Sequence, residues 1–183
     1  MARRVVFLDR DGTINVDHGY VHRIQDWDFI PGAIEAIRDM RLAGYAAAVV
    51  SNQSAVASGT YALVDVARLH DFMLSQLAVH GTTIDAIAVC PHRSSDNCPC
   101  RKPRTGLALQ IEEQLGESID YSMSWTIGDK LSDIGFGRAL GTKTILLKSQ
   151  YWKPCDLQFQ PDHIADSLQM ASANAVGLRA TEP

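Results

Sequence analysis

Val5-Val6-Phe7-Leu8-Asp9-Arg10-Asp11-Gly12-Thr13 is the stretch from which the fold can be read. Four apolar residues stop abruptly at charge, which predicts a short buried strand with a polar loop at its carboxyl end. The same figure recurs outward along the chain, at 46–50, 84–89, 125–127 and 144–147. Between these runs the apolar spacing becomes helical. Ala33, Ile34, Ile37 and Met40 follow Pro31 and stop before Gly44. Leu63, Val66, His70, Met73 and Leu77 step by three and four toward Gly81. Ala108, Ile111 and Leu115 mark a helix from about Thr105 to Gly116, and Leu131–Leu140 reads as another. Strand and helix thus alternate about five times, which predicts an α/β fold with a doubly wound parallel sheet and helices on both faces. Ile164-Ala165 and Leu168–Val176 extend the pattern with a short edge strand and a last helix.

A chain of 183 residues has the length of one domain, so residues 1–183 are expected to share one core. With 17 basic and 21 acidic side chains the net charge is −4, which argues against a general nucleic-acid binder or an anionic-membrane binder. No apolar run approaches the length of a membrane span. The run after Arg3 and Arg4 is too short for a signal-peptide core, so the expected location is the cytoplasm. In that reducing setting the four cysteines read as metal ligands or free thiols before disulfides. A monomer is expected.

Parallel sheets place ligands at the carboxyl ends of their strands. Asp9 and Asp11 follow the first strand, and Ser51, Asn52, Gln53 and Ser54 end the second. Arg101 and Lys102 precede the helix after the third, and Asp129 and Lys130 end the fourth, with Asp133 three residues beyond Lys130. Two carboxylates two residues apart repel unless a cation lies between them, and Asp129 completes an oxygen set suited to Mg²⁺. One carboxylate can attack phosphorus while the other moves protons. Lys102 and Ser51 can neutralise charge on a transferring phosphoryl group.

This set, from Phe7-Leu8-Asp9-Arg10-Asp11-Gly12-Thr13 through Ser51-Asn52, Lys102 and Gly128-Asp129-Lys130 to Asp133, resembles the haloacid dehalogenase-like (HAD) phosphatase superfamily. The first motif continues as Asn15-Val16-Asp17-His18-Gly19-Tyr20-Val21. Together with Ser51-Asn52-Gln53-Ser54 and Cys90-Pro91-His92, it is similar to the heptose bisphosphate phosphatase family within that superfamily. The resemblance implies a Rossmann-like HAD fold without a large cap domain. The segments that could hold a cap are only about 25 and about 33 residues long. It implies that Asp9 is the nucleophile and Asp11 the proton donor and acceptor. Asp9, the main-chain carbonyl of Asp11 and Asp129 would hold Mg²⁺, with Asp133 behind them. Ser51 and Lys102 would bind the phosphoryl oxygens. Asn15, Asp17, His18, Tyr20, Asn52, Gln53, Ser54, Arg101 and Lys130 would contact a sugar bisphosphate, whose 7-phosphate is removed and whose 1-phosphate stays. Arg101 and Lys130 add positive charge that could grip the second phosphate. The sequence departs from the family pattern at Ser51, where threonine is usual, and at Ser58, where an arginine is usual.

Cys90-x-His92 and Cys98-x-Cys100 form two ligand pairs within the loop 90–100, and four such ligands would close a structural Zn²⁺ site. That metal would fix the loop that delivers Arg101 and Lys102. His70, on the apolar helix seam, reads as a core histidine, His22 as exposed and Cys155 as a spare thiol. Trp27 and Phe29 read as packing residues, while Gly135 and Gly137 suggest close helix packing. The nearest rival is histidinol-phosphate phosphatase. Two further rivals are a phospho-receiver, which needs its aspartate at the third strand's end, and a zinc-binding module with a dead site.

Overall fold

A computed structural model describes residues 2–156 and 160–177; residues 1, 157–159 and 178–183, which the expected domain includes, lie outside the described residues. Six parallel strands, β1 (Val5–Leu8), β2 (Ala46–Asn52), β3 (Ala86–Cys90), β4 (Trp125–Gly128), β5 (Lys143–Leu147) and β6 (His163–Ala165), form one sheet in the order β3-β2-β1-β4-β5-β6. Among the described residues five α-helices accompany them: α1 (Ala33–Leu42), α2 (Leu63–Val79), α3 (Gly106–Leu115), α4 (Leu131–Leu140) and α5 (Leu168–Val176). The expected doubly wound architecture is therefore present, with β6 and α5 at the positions the tail pattern predicts.

Strand alternation divides the core in two. Val6 and Leu8 of β1 face one layer with Val49, Ile127 and Ile145, closed by α1, α2 and α5 through Ile37, Met40, Leu69, Met73 and Leu168. Val5 and Phe7 face the other with Ala48 and Val50, closed by Leu107, Ala108 and Ile111 of α3 and Phe136 of α4. Phe7 meets Phe136 edge to face at 5.7 Å between ring centroids. Because both faces are covered, β1 is apolar throughout its length.

Strand boundaries differ from the sequence reading by one or two residues, and two of them bear on the site. β2 runs on to Asn52, where Ser51 and Asn52 pair with Val89 and Cys90. β3 begins at Ala86, just past Asp85, whose N–H donates to the Ala47 carbonyl at 2.8 Å while its carboxylate accepts the Ala47 N–H at 2.8 Å and pairs with Arg41 at 2.8 Å. The chain leaves β1 toward β2 on one side and returns to β4 on the other. The carboxyl ends of β1 and β4 thus flank the crevice where ligands bind in such sheets. No helix among the described residues is long and apolar enough to cross a membrane.

Gly137 lets α4 lie directly on the sheet, since a Cβ there would stand 2.6 Å from Thr144 Cγ2 and 2.8 Å from Thr126 Cβ. Gly135 does the same against Pro103, 2.8 Å from its Cβ. Gly137→Ala should destabilise the fold by ~1–3 kcal/mol, the cost of overpacking a filled core. Urea unfolding checks this, and a midpoint equal to wild type would show that the contact can relax.

Candidate active site

Asp9 follows β1 at the crevice, and Lys102 reaches it from the loop before α3. Lys102 Nζ lies 2.8 Å from Asp9 Oδ1 and 2.6 Å from Asp133 Oδ1, and donates to the Val50 carbonyl at 2.6 Å. All three charged side chains are buried. Burial alone would lower the lysine's pKa, but Asp133 and Asp9 overcome it and hold the ammonium above its ordinary value. Asn52 brackets the Lys102 backbone, accepting its N–H at 3.1 Å and donating to its carbonyl at 3.2 Å.

Asp129 closes the other wall. Burial first, then the Asp9 and Asp133 charges, push its carboxyl up to about 7, against the pull of Lys130. Its Oδ1 is buried without a hydrogen-bond partner. Lys130 Nζ stands 3.9 Å from Asp9 Oδ2, 3.3 Å from the Asp11 carbonyl oxygen and 3.4 Å from Asp129 Oδ1. These oxygens belong to the three groups that the resemblance assigns to Mg²⁺. They converge on one point and face a cation there, so the donor set fits a hard divalent ion. Asp133 shares the cluster, but Lys102 Nζ and the Lys130 N–H at 3.0 Å already engage its two oxygens. Gly12, at φ 85°, and Gly128 leave the space that Asp129 and Asp133 fill.

Asp11 is held from three sides. Arg10 donates to Oδ1 through Nε at 3.1 Å and through Nη2 to both oxygens at 2.8 Å. Asn15 Nδ2 donates to Oδ1 at 3.0 Å and Gln53 Nε2 to Oδ2 at 2.8 Å. Gln53 also donates to Ser51 Oγ at 2.8 Å, which leaves the serine proton free to donate. Tyr61 O–H in turn donates to Gln53 Oε1.

Two adjoining cavities share Asp11, Asn52 and Lys130. The smaller, about 170 Å³, is lined by Asp9, Ser51, Arg101, Lys102, Ser132 and Asp133. The larger, about 260 Å³, is lined by Asp17, Tyr20, Gln53, Ser54, Tyr61 and Tyr151. Asn15 and His18 line neither. Asn15 is fully buried against Asp11, and the half-exposed His18 pairs with Asp28 at 2.9 Å. The structure does not bring these two expected sugar contacts to the cavities, and local hydrogen bonds to Asp11, Val16 and Asp28 engage both side chains. Lys130 is not spare charge either, since Asp17, Asp9 and Asp129 surround it. Arg101 donates to the His92 carbonyl at 3.1 Å.

Arg10, Tyr61 and Tyr151 were not legible as site residues. Arg10 is fully buried, turned toward α2, where its Nη1 stands 3.5 Å from His70 Nε2. A histidine on an apolar seam was the one available signal of a charged partner beneath. Tyr151 lies 134 residues from the Asp17 carboxylate it meets, beyond any local pattern.

Below the crevice, Cys90, His92, Cys98 and Cys100 gather their ligand atoms within 4.8 Å of one another. The sulfurs stand 3.2–3.6 Å apart, and His92 Nδ1 lies 3.2 Å from Cys100 Sγ and 3.6 Å from Cys90 Sγ. Tetrahedral Zn–S bonds of ~2.3 Å imply sulfur separations of roughly 3.8 Å, so this cluster has metal-site dimensions. The cysteines are free, not paired in disulfides.

A family model described as HAD-like hydrolase matches residues 99–171. The chain is 36% identical over 173 residues to the D-glycero-beta-D-manno-heptose-1,7-bisphosphate 7-phosphatase of Pasteurella multocida, covering 91% of this chain and 93% of that one. It is 41% identical over 157 residues to the Escherichia coli K12 enzyme of the same name, covering 80% and 81%. Its fold matches the crystal structure of D,D-heptose 1.7-bisphosphate phosphatase from B. bronchiseptica complexed with magnesium and phosphate, with TM-score 0.85, 27% identity, and 96% and 99% coverage. Fold, site and matches together define a HAD-like hydrolase. More narrowly, the chain belongs to the D-glycero-beta-D-manno-heptose-1,7-bisphosphate 7-phosphatase family.

Burial first, then the Arg10 charge, hold His70 down to about 3 from its ordinary 6.5. The unfolded chain takes up that proton near pH 6.5 while the folded chain does not, so stability must fall as pH drops through this window. His70→Gln should flatten the fall, removing a slope of at most ~1.4 kcal/mol per pH unit. Urea midpoints of both proteins between pH 7 and pH 4 check this; parallel curves would show a protonated His70.

Proposed function

We propose that this chain hydrolyses the 7-phosphate of D-glycero-D-manno-heptose 1,7-bisphosphate and releases heptose 1-phosphate, a step in heptose precursor biosynthesis. The observation that carries the reading is the pair of joined cavities. One, of about 170 Å³, is phosphate-sized and walled by Asp9, Ser51 and Lys102; the other, of about 260 Å³, has room for a sugar and meets it at Asp11. The names of the relatives, which match at 36% and 41% identity, support the same substrate.

In the first step the Asp9 carboxylate attacks phosphorus and the bond to the sugar oxygen breaks. Protonated Asp11 gives its proton to that oxygen. In the second step Asp11 takes a proton from water, whose oxygen attacks phosphorus and frees Asp9. Arg10, Asn15 and Gln53 hold Asp11 in one orientation for both transfers. Lys102 and the Ser51 hydroxyl meet the charge on the equatorial oxygens. Mg²⁺, held by Asp9, the Asp11 carbonyl and Asp129, would supply further charge neutralisation at the phosphoryl group. Arg101, on the pocket rim, keeps N–H groups free for phosphate.

Phosphate release from the heptose 1,7-bisphosphate, the 7-monophosphate and histidinol phosphate, assayed side by side, tests the reading. The bisphosphate should have the highest kcat/KM, and Asp9→Asn should abolish turnover. Preference for histidinol phosphate would move the assignment to that rival, and turnover by Asp9→Asn would exclude the covalent route.

The same reading includes a structural Zn²⁺ on Cys90, His92, Cys98 and Cys100. Purified protein should carry about one zinc per chain, more resistant to EDTA than Mg²⁺. Stripping it should raise proteolysis at residues 90–104 before the sheet unfolds. Elemental analysis and limited proteolysis check this; zinc-free protein with an uncut loop would contradict it.

A further inference from the structure

The segment after β5 is tied to both sides of the crevice. Ser149 Oγ donates to the Asp129 carbonyl at 2.7 Å, and Trp152 Nε1 to the Leu147 carbonyl at 2.9 Å. Between these anchors Tyr151 O–H donates to Asp17 Oδ2 at 2.8 Å. Lys130 Nζ stands 4.6 Å above the Tyr151 ring centroid and 3.5 Å from the same Asp17 oxygen. Tyr151 is 45% exposed and lines the larger cavity.

This wall has a definite chemical preference. Asp17 Oδ1 already accepts the Gly19 N–H at 2.9 Å. Half-burial opposes ionisation of Asp17, yet the Tyr151 hydrogen bond, the Gly19 N–H and Lys130 hold it below its ordinary pKa, an acceptor-only carboxylate. Such a group takes hydrogen bonds from hydroxyls and repels phosphate. The Tyr151 oxygen, committed as donor, still has lone pairs for a hydroxyl, and its exposed ring offers an apolar surface for sugar C–H groups. Lys130, the cation nearest the wall, is already shared among Asp9, Asp17 and Asp129.

We propose that Tyr151 determines specificity by forming, with the Asp17 carboxylate it orients, a wall that reads the uncharged polyhydroxyl portion of the substrate next to the reacting phosphate. This rests on the sugar-phosphatase reading above and assigns a role to the otherwise unassigned segment 148–156.

The test compares heptose 1,7-bisphosphate, sorbitol 6-phosphate and phenyl phosphate across wild type, Tyr151→Phe and Tyr151→Ala. The kcat/KM of the polyol phosphates relative to phenyl phosphate should fall ~2–10-fold in Tyr151→Phe, the worth of one neutral hydrogen bond. In Tyr151→Ala it should fall further, with most of the loss in KM. An unchanged ratio in both variants overturns the proposal. So does an equal loss on all three substrates with a lowered Tm, which would make Tyr151 a prop for its segment. A wild type with no preference for either polyol phosphate over phenyl phosphate overturns it too. If wild type leaves the heptose bisphosphate intact but shows a Tyr151-dependent preference for sorbitol 6-phosphate, the substrate reading fails and the wall stands.

Discussion

Lys102 carries an ammonium group into the interior, where water cannot solvate it. Its stability there depends on Asp9 and Asp133, at 2.8 and 2.6 Å, and on the Val50 carbonyl. Those partners come from the ends of β1 and β2 and from α4, so one buried charge fastens loops that are remote in sequence. Removing one member of such a buried pair leaves an uncompensated charge, at a cost of ~3–5 kcal/mol. The same contact that orders the site also fixes the orientation of the Asp9 carboxylate.

A second constraint follows from the excess of carboxylates. Asp9, Asp129 and Asp133 lie together in a buried space. One buried lysine cannot balance them, and Lys130 leans in to share Asp9 and Asp129 with Asp17. Asp129 Oδ1, buried with no hydrogen bond beyond the Lys130 ion pair at 3.4 Å, and the raised Asp129 pKa express the same deficit of positive charge. A divalent cation bound among these carboxylates would resolve it. Glycine at 12 and at 128 is the steric counterpart, because a side chain there would occupy the room of Asp129 and Asp133.

The cysteine and histidine cluster acts on this centre through the chain itself. Cys100 is two residues from Lys102, Arg104 donates to the Cys98 carbonyl at 2.6 Å, and Arg101 donates to the His92 carbonyl. Fixing the cluster therefore fixes the approach of Lys102 to Asp9.

Much of this was determined by the sequence alone. The apolar runs predicted the strands because both faces of a parallel sheet are buried, and glycines such as Gly116 marked where helices stop. The strand-end residues Asp9, Ser51 and Asp129, and Lys102 in the loop before α3, were legible because function in such sheets collects at carboxyl ends. Tertiary structure decided the pairings. Asn15 and His18 share a motif with Asp17 and Tyr20, yet only the last two line the cleft. Arg10 sits between two aspartates in sequence and beneath them in space, against His70 of α2. Tyr151 meets Asp17 only because the segment after β5 crosses the β1–β4 crevice. Periodicity is a local property of the chain, whereas the partner of a charged or polar side chain depends on which strand ends become neighbours, and packing alone decides that.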